Sequence, residues 1–136
     1  MKGRKRHIMV DTLGLLHELV VTGINMGDRG GVRLLLARSE KRLPRRVKIF
    51  VDLGYTGPEL AEFAKLFGNR LLEVVPRRPG SSTFEVLPRR WIVERTFAWI
   101  TRCRRLAKDV EASTSSSEAM VRLAMIRLMF RRLAPL

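Results

Sequence analysis

Residues 89–105 hold six arginines and a single acid, Glu94, interleaved with Trp91, Phe97 and Trp99. Guanidinium groups resist burial, so such a segment can give a core only one stripe. Val93, Phe97, Ile100 and Ala107 recur at helical spacing and supply that stripe, which predicts a surface helix over about 88–108. Around Glu94 this helix places Arg90 one turn back, Ala98 and Thr101 one and two turns on, then Arg102 and Arg105. A lone carboxylate in that setting has two possible roles. One is an ion pair with Arg90, worth a few tenths of a kcal/mol. The other is holding a divalent metal beside a phosphate that the arginines grip.

Charge narrows the partners. The chain has 27 basic and 13 acidic residues among 136, a net charge of +14 and a pI near 11.5. That balance says little about fold but favours polyanions as partners. Nucleic acid is preferred to a membrane, because no apolar run approaches the roughly 18 residues a spanning helix needs. The basic start Met1–His7 has no apolar signal region behind it, so a cytoplasmic location is expected. Cys103 is the only cysteine, which excludes an intrachain disulfide and a cysteine-based zinc cluster. An apolar share of 46% over this length fits one domain with a real core.

Punctuation divides the rest. Two short β-branched runs, 6–11 and 15–22, flank the turn Asp11-Thr12-Leu13-Gly14 and predict a hairpin. A glycine-containing loop from Gly23 to Gly31, with Asp28 as a helix cap, leads to a helix at 32–37. A basic linker around Pro44 precedes a strand at 47–51, ending in Asp52-Leu53-Gly54. Thr56 and Glu59, with Pro58 between them, have capping-box spacing for a helix over about 57–67, stopped by Gly68-Asn69. A strand at 71–75 and a Pro/Gly/Ser/Arg-rich loop at 76–83 follow. Ser115 and Glu118 form a second capping box, opening a helix to about 133. The order β-β-α-β-α-β-α-α describes an α/β domain with a mixed sheet.

Asp52 is the second candidate acid. It directly follows an apolar strand, and ligands gather at the carboxyl ends of strands in α/β sheets; a turn aspartate bonded to local N–H groups is the simpler alternative. His7 and His17 lack ligand spacing. Trp91 and Trp99, eight apart on one helix side, suit packing more readily than base stacking.

Three motifs occur in order: Lys2-Gly3-Arg4-Lys5-Arg6-His7-Ile8-Met9-Val10-Asp11-Thr12-Leu13-Gly14-Leu15, Val51-Asp52-Leu53-Gly54-Tyr55-Thr56-Gly57, and Leu87-Pro88-Arg89-Arg90-Trp91-Ile92-Val93-Glu94-Arg95-Thr96-Phe97-Ala98-Trp99. Together they resemble the C-terminal part of the catalytic domain of bacterial insertion-sequence transposases of the DDE type, in the insertion-sequence-five-like group. The resemblance implies a ribonuclease-H-like core in which two aspartates and a glutamate hold two Mg²⁺ (or Mn²⁺) ions. It makes Asp52 the second catalytic and metal-binding acid and Glu94 the third. It also implies DNA, as transposon ends and target, for Lys5, Arg6, Arg90, Arg95, Arg102 and Arg105. The wider family often has a tyrosine where this chain has Leu87, so no hydroxyl role carries over.

By the same resemblance the first catalytic aspartate lies on a strand upstream of the motif that begins at Lys2. Asp11 belongs to the following hairpin and is not that acid. A partial ribonuclease-H-like fold lacking its first, central strand and the DNA-recognition region is therefore expected, inactive by itself in metal-dependent strand transfer. Such a chain could work with an upstream-encoded transposase half or a full-length transposase, in the bacterial nucleoid. The alternatives are a basic, non-catalytic DNA-binding fragment that modulates a full-length transposase, and a decayed remnant.

Overall fold

The computed structural model describes residues 3–40, 48–51, 58–66, 71–74 and 90–134. The hairpin forms as expected, from β1 (Arg4–Val10) and β2 (Leu16–Gly23), paired antiparallel with a register shift between Met9 and Val10. Its turn is built by Asp11. One carboxylate oxygen accepts the N–H groups of Leu13 at 2.9 Å and Leu15 at 3.0 Å, and the Asp11 carbonyl accepts Gly14 N–H at 3.0 Å. Gly14 sits at φ +81°, where a side chain would be strained.

Both faces of the hairpin are covered. Leu19 and Val21, with Ile8, pack against Ile100, Leu106 and Val121 on one side. Met9 points the other way, into a cluster of Val32, Leu36, Leu60 and Ala64. Consecutive residues of a strand face opposite sides, so a two-sided cover explains why Leu19, Val20 and Val21 are all buried. The layers above and below are helical, α1 (Asp28–Ser39) with α2 (Pro58–Leu66) on one face, and three C-terminal helices on the other. Strands β3 (Lys48–Val51) and β4 (Leu71–Val74) pair in parallel as a separate sheet. The chain is therefore α/β, and both kinds of strand pairing occur among the described residues.

Five local expectations need correction. Helix α1 starts at Asp28, not at 32, so Gly30 and Gly31 are helical. A Cβ on Gly31 would run into the His7 imidazole, so the glycine lets α1 lie flat on β1. Asp28 does not cap this helix; it occupies the first turn, where the helix dipole favours an anion, and pairs with Lys5.

The basic helix is not continuous. It ends as α3 (Arg90–Thr101), turns at Arg102 and Cys103, and resumes as the single turn α4 (Arg104–Ala107). Six residues of unbroken helix would rotate Leu106 by about 240° from Ile100. The turn at Cys103, extended at ψ 117°, instead brings both into one cluster, at 2% exposure each. Leu106 thus takes the place predicted for Ala107, which is exposed. Arg6 donates to the Leu106 carbonyl at 2.8 Å and satisfies the broken end.

The last helix, α5 (Thr114–Leu133), is capped by Ser113, whose hydroxyl accepts Ser116 N–H at 3.1 Å. Glu118 is therefore not part of a capping box with Ser115. It is buried, and its carboxylate accepts Val21 N–H at 2.9 Å and bonds to Arg38 at 2.9 Å. The Thr56 cap, the Gly68-Asn69 stop and the loop at 76–83 lie outside the described residues.

Candidate metal and polyanion site

Helix α3 presents Glu94 to solvent because its opposite side is anchored. Thr96, fully buried, donates from Oγ1 to the Gly14 carbonyl at 2.7 Å, and Arg95 donates from Nη2 to the Leu13 carbonyl at 2.9 Å. The hairpin turn thereby docks on the helix. At about 100° per residue, Thr96 and Ile100 define the inward side and Glu94 stands across from it. Ala98 and Thr101 follow Glu94 one and two turns on, along the same exposed face. Small residues on the C-terminal side of the carboxylate leave room there for an ion and a phosphate, and such a hard oxygen donor suits Mg²⁺. Asp52 lies outside the described residues. In the sequence it directly follows β3. Among the described residues, no group of three or more His, Cys, Asp and Glu side chains is placed to hold a metal.

The six basic residues singled out in the sequence have different surroundings. Lys5 forms an exposed pair with Asp28 at 3.2 Å. Arg6 closes the α4 carbonyl end, and Arg95, besides its bond to Leu13, lies 4.7 Å from the centre of the Trp99 ring. Arg105 grips Glu111 through two bonds, at 2.6 and 3.3 Å, which holds the Glu111 carboxyl below the usual range. Arg102 is exposed at the turn after α3, with no acid paired to it among the described residues. The Arg90 side chain lies outside the described part. Periodicity could not sort these roles, since every acceptor except the Glu111 carboxylate belongs to a distant segment.

Arg104, Arg127 and Arg131 are exposed as well. Trp99 is not a bare stacking platform: the Arg132 guanidinium lies 4.6 Å from its ring centre, so two cations already sit against the indole. His7 is buried and bonds to Thr22 Oγ1 at 3.0 Å, whereas His17 is exposed and lies 3.5 Å from Asp11.

Arg4 fastens the other end of β1 to the segment before α5. Its Nη1 donates to Asp109 at 3.2 Å and to the Glu111 carbonyl at 2.8 Å. Burial opposes the Asp109 charge, but bonds from Ser117 and the Glu111 N–H, with Arg4 and Arg6 nearby, outweigh it and lower the Asp109 pKa. Asp109 thus stays ionised at neutral pH, where it holds β1 to the segment before α5.

A family model described as transposase DDE domain matches residues 1–129. No curated protein and no solved structure matches the chain.

Proposed function

The chain belongs to the transposase DDE domain family, and from that premise we propose that Asp52 and Glu94 are two of the acids that hold divalent metal during DNA strand cleavage and transfer. The family acts in DNA transposition, with DNA as its partner and a divalent metal in its chemistry. The observation that carries the assignment is the Glu94 face: an exposed carboxylate followed one and two turns on by the small residues Ala98 and Thr101, on a helix whose other side is locked to the hairpin turn. A ligand must be held still to bind an ion well, and that anchoring holds it. Mg²⁺ or Mn²⁺, when bound, would activate the attacking hydroxyl and offset charge on the leaving oxygen. Asp52 and Glu94 orient the ions; Arg90 and Arg102 hold phosphates of the strand. Lys5 joins them by exchanging Asp28 for a phosphate. Arg6, Arg95 and Arg105 act mainly through the scaffold, close enough to DNA to add long-range attraction.

The ribonuclease-H-like reading of the sheet draws support from its edges. The backbone groups of Leu19 and Val21 that point away from β1 are taken by side chains. Leu19 N–H is accepted by Glu18, the Leu19 carbonyl accepts from Arg38, and Val21 N–H is accepted by Glu118. That edge is closed to another strand. By the alternation of antiparallel pairing, the outer edge of β1 carries the groups of Arg4, Arg6 and Ile8. This is the edge at which the family's first strand, with its aspartate, would add, and that acid is proposed to come from outside these residues. Two carboxylates without a third bind metal weakly.

The test uses a transposition-competent form that includes that strand. Asp52→Asn and Glu94→Gln should each abolish Mg²⁺-dependent strand transfer while leaving DNA binding in chelator unchanged; transfer retained by either variant overturns the assignment. A second reading, a non-catalytic DNA-binding module of an insertion-sequence transposase, is favoured by the net charge of +14. It predicts salt-sensitive DNA binding, indifference to Mg²⁺ and no effect of Glu94→Gln in any form of the protein.

A further inference from the structure

Helix α5 is apolar on two faces. Its inner face, with Val121 and Met125, is buried against the hairpin layer. On the outer face Leu123, Ile126, Phe130 and Leu133 are exposed, at 58, 47, 67 and 82%. Their spacing is three, four and three residues, and exposed Ala119 extends it by another four. That is the seam of a two-helix coiled coil, and it runs for about 21 Å at 1.5 Å per residue. Four large apolar side chains in one line are more than scattered surface hydrophobicity.

Charge decides what fits this seam. From Ala119 onward the chain has four arginines and no acid. Arg127 and Arg131 are exposed along one flank, while Arg122 on the other is drawn to Glu18 and Glu118. Two copies of α5 laid seam to seam would therefore bring arginine flanks together, which specifies against self-pairing. We propose that this face docks an amphipathic helix of another protein, apolar at heptad positions and acidic along the flank that meets Arg127 and Arg131. The proposal does not depend on the metal reading.

The probe is a synthetic helix of about four heptads with Leu at the seam and Glu at the flanks, compared with its twin carrying Lys at the flanks. Binding to the full chain is read by fluorescence anisotropy, and the chain's mass by sedimentation equilibrium. The glutamate peptide should bind, the lysine peptide should not, and the chain should be monomeric. Leu123→Ser/Phe130→Ser leaves every charge in place and should weaken binding about tenfold or more; Arg127→Glu/Arg131→Glu leaves the seam in place and should do the same. All four side chains are exposed, so both variants should keep their circular dichroism; if one unfolds, the other carries the test. Equal binding of the two peptides overturns the charge argument. Binding that survives the serine variant is bare attraction to a basic protein and overturns the seam. Absence of binding, or a dimer that the serine variant dissociates, overturns the proposal outright.

Discussion

Glu118 offers the sharpest test of how the C-terminal helix is fixed to the hairpin. Its carboxylate, 7% exposed by residue, accepts Val21 N–H at 2.9 Å and faces Arg38 at 2.9 Å and Arg122 at 3.6 Å. Glu118→Ala removes the acceptor of a buried backbone N–H, which costs about 1–3 kcal/mol. The two ion pairs add little by themselves. Arg38 and Arg122 have side chains 44% and 38% exposed, so water can replace the lost carboxylate, and about 0.5 kcal/mol each is a fair allowance. The total is about 2–4 kcal/mol. Glu118→Gln keeps an oxygen for Val21 and loses only the charge, so it should cost about 1 kcal/mol. Urea denaturation of the three proteins gives both differences, and amide hydrogen exchange at Val21 identifies their source. Alanine should speed that exchange strongly and glutamine only slightly. If the two substitutions are equally destabilising, or if Val21 exchange is unchanged by alanine, the carboxylate is not the acceptor that closes β2, and the edge argument fails with it.

Other substitutions read the same framework at different points. Gly14→Ala should destabilise by about 1–3 kcal/mol, because the residue sits at φ +81° and a Cβ there would meet Thr96 Oγ1 at 2.9 Å; a thermal melt decides it. Gly31→Ala should destabilise by a similar or larger amount through collision with the His7 ring, and His7→Ala should recover part of that loss in the double variant, measured as a coupling energy. Burial pushes the His7 pKa below its usual value, with Asp28 offsetting part of the effect. The folded state then binds the proton less well than the unfolded chain. Stability from this group is complete above about pH 6.5 and declines as pH falls below it. His7→Phe should remove that acid-side slope from a plot of unfolding free energy against pH.

Much of the fold was legible because its signals are local. The hairpin announced itself through two β-branched runs around Asp11-Thr12-Leu13-Gly14, and the turn bonds are those an aspartate makes to its own neighbours. The failures all involve distant partners. Gly30 and Gly31 read as loop because nothing nearby reveals that His7 lies over α1. The break at Arg102–Cys103 has no proline or glycine to mark it; it exists because Leu106 must meet Ile100 and Val121 in one cluster. Glu118 has the spacing of a capping residue and was taken by Val21 instead, 97 positions away. At the site, the exposure of Glu94 followed from helical spacing alone. The duties of the arginines did not.

Those duties lead to a separation that binding and stability measurements can make. Arg6 donates to the Leu106 carbonyl and Arg95 to the Leu13 carbonyl, so each fills a role inside the protein that a phosphate would have to displace. Arg102 and Arg104 are exposed at the turn below the Glu94 face, and no such carbonyl bond occupies them among the described residues. Counterion release scales with the phosphates contacted, about 0.9 ions per contact on duplex DNA. Arg102→Ala or Arg104→Ala should therefore lower the slope of log affinity against log salt by about one and leave the melting temperature nearly unchanged. Arg6→Ala should do the reverse, lowering stability by about 1–2 kcal/mol through an orphaned, part-buried carbonyl while the slope stays within about half a unit; Arg95→Ala, whose Leu13 carbonyl is open to water, should cost less than Arg6→Ala. If Arg6→Ala lowers the slope by a full unit without destabilising the fold, its bond to Leu106 yields to DNA, and the line drawn here between scaffold and contact arginines is in the wrong place.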